Sequence, residues 1–275
     1  MSAPAPLRLR PLEIGDVLDE TFRIYRRHFW LFAGISMIMA IPAAALTGYS
    51  FFTVFSSFLQ TINSVSPDFN TLLPSLIWLG AGYLLNFFLS PFTFAAVIYA
   101  ACESALGRPV TIWGAIRGVL RRYFAILGYV FILDMMIVFF CLFPLWLWFA
   151  VLWVAVLPVM FIEKSGLGAA MGRSWRLVEG RWWRTFLILF LVFLLRWFVG
   201  QALEGFLFFA TQIIGFIASN YIVLAISQSV AVLVAALVNP VVQIAIVLVY
   251  FDLRVRREAL DLFQLAQRVS ATQPA

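Results

Sequence analysis

The stretch EKSGLGAAMGRSWRLVEGRWWRTFLIL, residues 163–189, runs from charge through a short amphipathic segment and an arginine–tryptophan cluster into unbroken apolar sequence. Two other stretches share this plan: DVLDETFRIYRRHFWLFAGI (16–35) and TIWGAIRGVLRRYFAILGYV (111–130). Arginine and tryptophan belong where water and headgroups can reach them, and the apolar run belongs in hydrocarbon. Each stretch therefore reads as an arginine-anchored helix on a membrane surface that leads into a transmembrane helix. Working outward from this device, the fold class is all-α. It is a polytopic membrane helical bundle of six transmembrane helices, with amphipathic interfacial helices on the cytoplasmic side, forming one membrane domain over 1–275.

Composition agrees. Apolar residues make up 64% of the chain and charged residues 12%, against about 45–50% and about 25% in soluble domains. A chain of 275 residues cannot bury that much apolar surface in a soluble core. The net charge of +6 comes from 18 arginines and one lysine against 13 acids. Because the arginines flank apolar runs, their partner is the membrane surface, with its anionic headgroups, and not nucleic acid. The first 28 residues mix arginines and acids without an apolar core, so no cleavable signal peptide is expected.

The interfacial helices are expected at 11–28, 111–122, 166–180 and 253–268. Thr111 is the expected cap of the second. Spans are expected at about 29–57, 73–102, 123–143, 145–162, 185–209 and 224–251, with Pro42, Pro91 and Asn239-Pro240 inside them. Eighteen of the nineteen basic residues fall before span 1, between spans 2 and 3, between spans 4 and 5, or after span 6. The opposite links contain none, so both termini are expected in the cytoplasm. Six spans and three leading surface helices suggest three parallel repeats. Convergence on arginine and tryptophan at each membrane boundary explains the same likeness.

Two ionisable residues lie inside spans. Asp134 is twelve residues past Arg122, and Arg196 is twelve past Arg184. At ~1.5 Å per residue each is roughly 18 Å deep, near the middle of a core about 30 Å thick. Buried charge marks a functional site by default, such as a proton or substrate site. A matched pair that fixes helix register satisfies itself, and this reading is preferred. Near the inner boundary Arg121, Arg122, Arg173, Arg176, Arg181 and Arg184 are candidate contacts for anionic lipid. The membrane-depth amides Asn86, Gln201, Gln228, Asn239 and Gln243 are expected to bridge helices.

Catalytic and cofactor motifs are lacking. A single histidine, His28, and two cysteines, Cys102 and Cys141, supply no metal cluster and no His-based triad. Glu103, Glu163 and Asp252 share the inner boundary, so a carboxylate cluster there is conceivable. No catalytic residue, cofactor or metal is expected. The preferred function is a non-catalytic membrane scaffold or lipid-binding domain that assists a partner complex. The alternative is a transporter or lipid-moving protein with a midplane polar site. A protein partner and a homo-oligomer both stay open.

The segments RPLEIGDVLDETFRIYRRHFW (10–30), LPVMFIEKSGLGAAMGRSWRLVEGRWWR (157–184) and YFDLRVRREALDL (250–262) resemble an uncharacterised bacterial family of six-span membrane proteins. That family is related to the membrane domain fused to some glycerophosphodiester phosphodiesterases. The resemblance implies a bacterial cytoplasmic-membrane protein. It does not imply phosphodiester hydrolysis, because that activity resides in a separate soluble barrel with catalytic histidine and metal-binding acids, which nothing here encodes.

Overall fold

A computed structural model describes residues 13–63, 69–138, 143–218 and 221–272. The N-terminal tail, Cys141, Ser219, Asn220 and residues 64–68 of the 60–70 link lie outside the described residues, as do the side chains of Gln212, Leu260, Phe263 and Ala266. Among the described residues all regular structure is helical. In chain order the α-helices are α1 (Ile14–Arg27), α2 (Phe29–Asn63), α3 (Leu73–Ala105), α4 (Ile112–Leu120), α5 (Tyr123–Val138), α6 (Phe143–Leu152), α7 (Val156–Ile162), α8 (Leu167–Val178), α9 (Trp182–Ala218), α10 (Tyr221–Val238) and α11 (Pro240–Thr272).

Helices α1, α4 and α8 are short and amphipathic. In α1 the Glu13 N–H donates to the Asp16 carboxylate at 3.2 Å. Asp16 in the first turn and Arg26 and Arg27 in the last suit the helix dipole. Val17 and Thr21 are its buried face. Thr111 caps α4 as expected, its hydroxyl accepting from the Gly114 N–H at 3.1 Å. Helix α8 buries Ala170, Ser174, Leu177 and Val178, then turns into α9 through Gly180 at φ +77°, a conformation that glycine adopts without strain.

Five helical segments are long and apolar enough to cross a membrane: Phe29–Thr61, Leu73–Ala105, Phe143–Ile162, Trp182–Leu207 and Ala225–Glu258. The chain is a multi-pass membrane protein. The span read at 123–143 is helical for Tyr123–Val138, with 139–142 outside the described residues.

Two expected spans are interrupted. The span read at 145–162 is two helices, α6 and α7. Pro158 has no N–H, and its ring excludes the carbonyl four residues back, so the helix opens at 153–155. Backbone groups freed in hydrocarbon must find partners, and here they do. The Ser174 hydroxyl donates to Leu152 O at 2.7 Å and accepts from the Ala155 N–H at 3.1 Å. The Tyr129 hydroxyl donates to Trp153 O at 2.9 Å. Pro240 likewise separates α10 from α11. The latter then runs unbroken to Thr272, so the surface helix expected at 253–268 is its continuation. No glycine or proline interrupts 241–272, and pairs four residues apart, Asp252 with Arg256 and Arg254 with Glu258, support the helix.

Close contacts group the chain into two compact units, neither of them continuous in sequence. The first is Met1–His28, Ala95–Phe193 and Val241–Ala275; the second is Phe29–Phe94 and Leu194–Pro240. The core of the first holds Ile98, Ile126, Leu157, Met160, Leu177, Ile188, Leu248 and Tyr250, all fully buried. In the second, α2 packs on α10 through small residues. Ala40, Ala43, Ala44, Ala225 and Ala236 are buried, and the Ser229 hydroxyl donates to Ala44 O at 2.9 Å. A methyl group added at Gly48 would overlap that hydroxyl. Such close backbone approach is how helices associate where lipid removes the hydrophobic drive. Helix α3 joins through Ser50 Oγ to Trp78 O at 3.0 Å and Ser75 Oγ to Ser57 Oγ at 2.7 Å.

Candidate functional site

The first unit carries a lattice of arginines and carboxylates, built from the α7–α8 link, α8, the start of α9 and the middle of α11. Its hub is Asp252, whose side chain is 0% exposed. Arg184 Nη1 approaches Asp252 Oδ2 at 2.5 Å, and Arg256 Nε donates to both carboxylate oxygens at 2.9 and 3.1 Å. A buried carboxylate requires this kind of compensation. Glu163 accepts from Arg173 Nε at 3.3 Å and from the Tyr250 hydroxyl at 3.1 Å. Arg173 also reaches Glu258 at 2.8 Å, which Arg254 holds from the next turn at 2.9 Å. Arg257 meets Glu179 at 3.6 Å.

Arg181 differs from these. Its Nη2 donates to Arg256 O at 3.4 Å, and among the described residues it makes no salt bridge, although the Asp252 charge acts on it. Burial, then the nearby Arg256 and Arg257, push its pKa below the ordinary arginine value. In all, six arginines face four carboxylates, so the lattice carries excess positive charge.

The six arginines expected to hold anionic headgroups divide by what they touch. Arg173 and Arg184 are committed to carboxylates. Arg122 donates to Met160 O at 2.5 Å and Ser165 O at 2.9 Å, closing the end of α7 across Lys164, which sits at φ +54°. Arg181 spends one donor on a carbonyl. Arg121 and Arg176 are exposed, with no ion pair among the described residues. Arg117, not among the six, is also exposed and lies over the Trp113 ring, 5.9 Å from its centroid. Trp30, Trp113, Trp175 and Trp183 are exposed. Trp182 instead stacks on Trp148 at 5.0 Å and Phe186 at 5.2 Å.

Of the three boundary acids, Glu163 and Asp252 enter the lattice, and Glu103 pairs with Arg108 at 3.3 Å. Each is thus held by arginine. Among the described residues no group of three or more His, Cys, Asp or Glu could hold a metal ion. Asp252 as a buried hub was not legible from its position at a span end. The spacing Tyr250, Asp252, Arg254, Arg256, Glu258, alternating partners four apart, was the available signal.

The intramembrane charges Asp134 and Arg196 fall in different compact units. In its own unit Arg196 Nε donates to Asn239 Oδ1 at 2.8 Å, at the α10–α11 break. Asp134 is half-buried on α5, and among the described residues it has no ion pair. Gln243 is buried, and its carbonyl oxygen has no partner among the described residues.

No curated protein and no solved structure matches the chain. A family model, the membrane domain of glycerophosphoryl diester phosphodiesterase, matches residues 125–262, which include α6 to α10 whole and every lattice residue named above. The match takes in half of the chain, and with the long apolar helices it identifies an integral membrane protein that belongs to the family of the glycerophosphoryl diester phosphodiesterase membrane domain.

Proposed function

We propose that this chain is a non-catalytic scaffold of the bacterial cytoplasmic membrane that holds anionic lipid headgroups beside α4 and α8 and assists a partner complex. The observation that carries the reading is the division of labour among the arginines. Arg122, Arg173 and Arg184 bind the protein to itself, whereas Arg117, Arg121 and Arg176 stay exposed, Arg117 over the exposed Trp113 ring and Arg176 next in sequence to the exposed Trp175. Basic side chains near a membrane surface attract anionic lipid by about 1 kcal/mol each. The commitment of Glu103, Glu163 and Asp252 to arginines supports the non-catalytic part, since a general acid or a metal ligand needs a carboxylate at liberty to react.

The test is native mass spectrometry of the chain released from nanodiscs of mixed phosphatidylglycerol and phosphatidylcholine. Wild type should retain phosphatidylglycerol preferentially. Arg121→Gln with Arg176→Gln should lose most of that preference without unfolding. Equal retention of the two lipids by wild type would refute the headgroup reading. Hydrolysis of a phospholipid or glycerophosphodiester by the purified chain, abolished by a single substitution, would refute the non-catalytic reading. One observation favours the transporter alternative, namely the Arg196–Asn239 contact at a helix break, because broken helices line transport sites. Solute uptake by proteoliposomes, lost on Asn239→Leu, would decide for it.

A further inference from the structure

The second unit contains a cavity of about 340 Å³ lined by Gln201, Glu204 and Phe209 of α9 and by Ser227 and Gln228 of α10. Gln201 and Glu204 are three residues apart and so share a helix face. Gly205 lines the same space and leaves it open, since a side chain there would meet nothing within 4 Å. Among the described residues no hydrogen bond or ion pair engages Gln201, Glu204 or Gln228. The same helices expose Leu203, Phe206, Ile222 and Ile226. A carboxylate and two carboxamides thus converge on one cavity between greasy surfaces without satisfying one another. Glu204 stands twenty residues past Arg184, roughly 30 Å at ~1.5 Å per residue, at the far edge of a core about 30 Å thick, the depth at which lipid headgroups sit.

We propose that this cavity binds a primary ammonium group. An ammonium has three N–H donors and no acceptor. The site offers one carboxylate to balance its charge and two carboxamide oxygens to accept its remaining protons. One carboxylate is too few for Ca²⁺ or Mg²⁺, whose sites draw on many oxygens and usually several charges. A quaternary ammonium has no N–H and is recognised by a cage of aromatic faces, and among the described residues Phe209 is the one ring in this lining. The volume lies at the small end of ligand sites, about 300–1,000 Å³, and suits a headgroup-sized amine. The amine arrives on an aminophospholipid through the apolar surface, or free from water. The site stands apart from the anionic-headgroup reading, which involves arginines of the other unit.

The experiment uses the full chain in nanodiscs of equal phosphatidylethanolamine and phosphatidylcholine, with native mass spectrometry of the retained lipid and thermal shift by added ethanolamine. Wild type should retain phosphatidylethanolamine over phosphatidylcholine by about tenfold, the worth of one charge-assisted hydrogen bond. Glu204→Gln, nearly isosteric, should erase the preference while keeping the unfolding temperature. A thermal shift by ethanolamine that Glu204→Gln abolishes, with no lipid preference, would make the ligand a free amine. If Glu204→Gln fails to fold, Gln201→Leu with Gln228→Leu is read in the same way. Equal retention of both lipids together with no variant-sensitive ethanolamine shift overturns the proposal. So does a lipid preference that these variants leave unchanged. Arg121→Gln with Arg176→Gln should leave this preference intact, which separates a failure here from a failure of the anionic-headgroup reading.

Discussion

Asp252 illustrates how one side chain holds several elements in place. It sits on α11 and draws Arg184 from the start of α9 and Arg256 from its own next turn. Its side chain is wholly buried, so its charge has no recourse to water. Removing one partner of a buried ion pair typically costs about 3–5 kcal/mol, because the other charge stays behind. Asp252→Leu should lower the unfolding temperature in detergent accordingly. Arg184→Met added to Asp252→Leu should recover part of the loss, since it removes the stranded guanidinium. An unchanged unfolding temperature in the single variant would mean that Asp252 is not the hub. His28, the residue between α1 and α2, gives a pH-dependent counterpart. Burial, and then the charge of Arg27, push its pKa below the ordinary 6.5. The unfolded chain therefore binds more protons than the folded chain in the interval between the two values. Its contribution to stability is complete above pH 6.5 and declines as pH falls toward the folded value. NMR titration of the imidazole should give a midpoint below 6.5. A midpoint at or above 6.5 would contradict the burial seen here.

Between elements, the α2–α10 contact depends on the absence of a side chain at Gly48. A Cβ there would strike the Ser229 hydroxyl and lie 3.1 Å from Ala225 O. Gly48→Ala should destabilise by about 1–3 kcal/mol, as overpacking does. In a Ser229→Ala background the penalty should shrink by about 1 kcal/mol, because the two positions are in direct contact. Additive losses in unfolding experiments on the two single variants and the double variant would rule out the close approach. This contact was not legible in the sequence, where Gly48 is one small residue among many. What was legible follows from local chemistry. Helices α1, α4 and α8 stand where amphipathic spacing placed them, and Thr111 caps α4, because dipole, cap and periodicity act within a few residues. Of the six spans expected from apolar length, five coincide with helical segments long enough to cross, for the same reason. The α6–α7 break was half legible: Pro158 announces a disturbance, but it falls at 153–155, and the partners that make it tolerable, Ser174 and Tyr129, come from other helices. The lattice around Asp252 and the cavity around Glu204 were opaque on the same ground. Both depend on which helices meet, which charge and spacing along the chain do not specify.

For the whole molecule the decisive quantity is the parity of crossings. Five segments meet the length a bilayer requires. The sixth, α5, is described over Tyr123–Val138, 16 residues, or roughly 24 Å of helix at ~1.5 Å per residue, against a core of about 30 Å. Its last described residues run into an apolar stretch, FFCL at 139–142, before Pro144, enough further chain to complete a crossing. The charge pattern is the reason to expect that it crosses. If α5 did not, the basic residues before α2 and those near α9 would lie on opposite faces, against the strong bias of Lys and Arg to one side. Six crossings would place both termini on one face, expected to be the cytoplasm. Short tags at each end should therefore resist labelling by an impermeant reagent in intact cells and become reactive once the cells are opened. A cysteine introduced by Ser66→Cys, in the acid-bearing link without basic residues, should be labelled from outside, and one introduced by Lys164→Cys should be protected. A C-terminal tag reached from outside while the N-terminal tag stays protected would mean five crossings. The α5 segment would then be a helix that enters and returns, and the arginines of α8 and those of α1 would face different compartments.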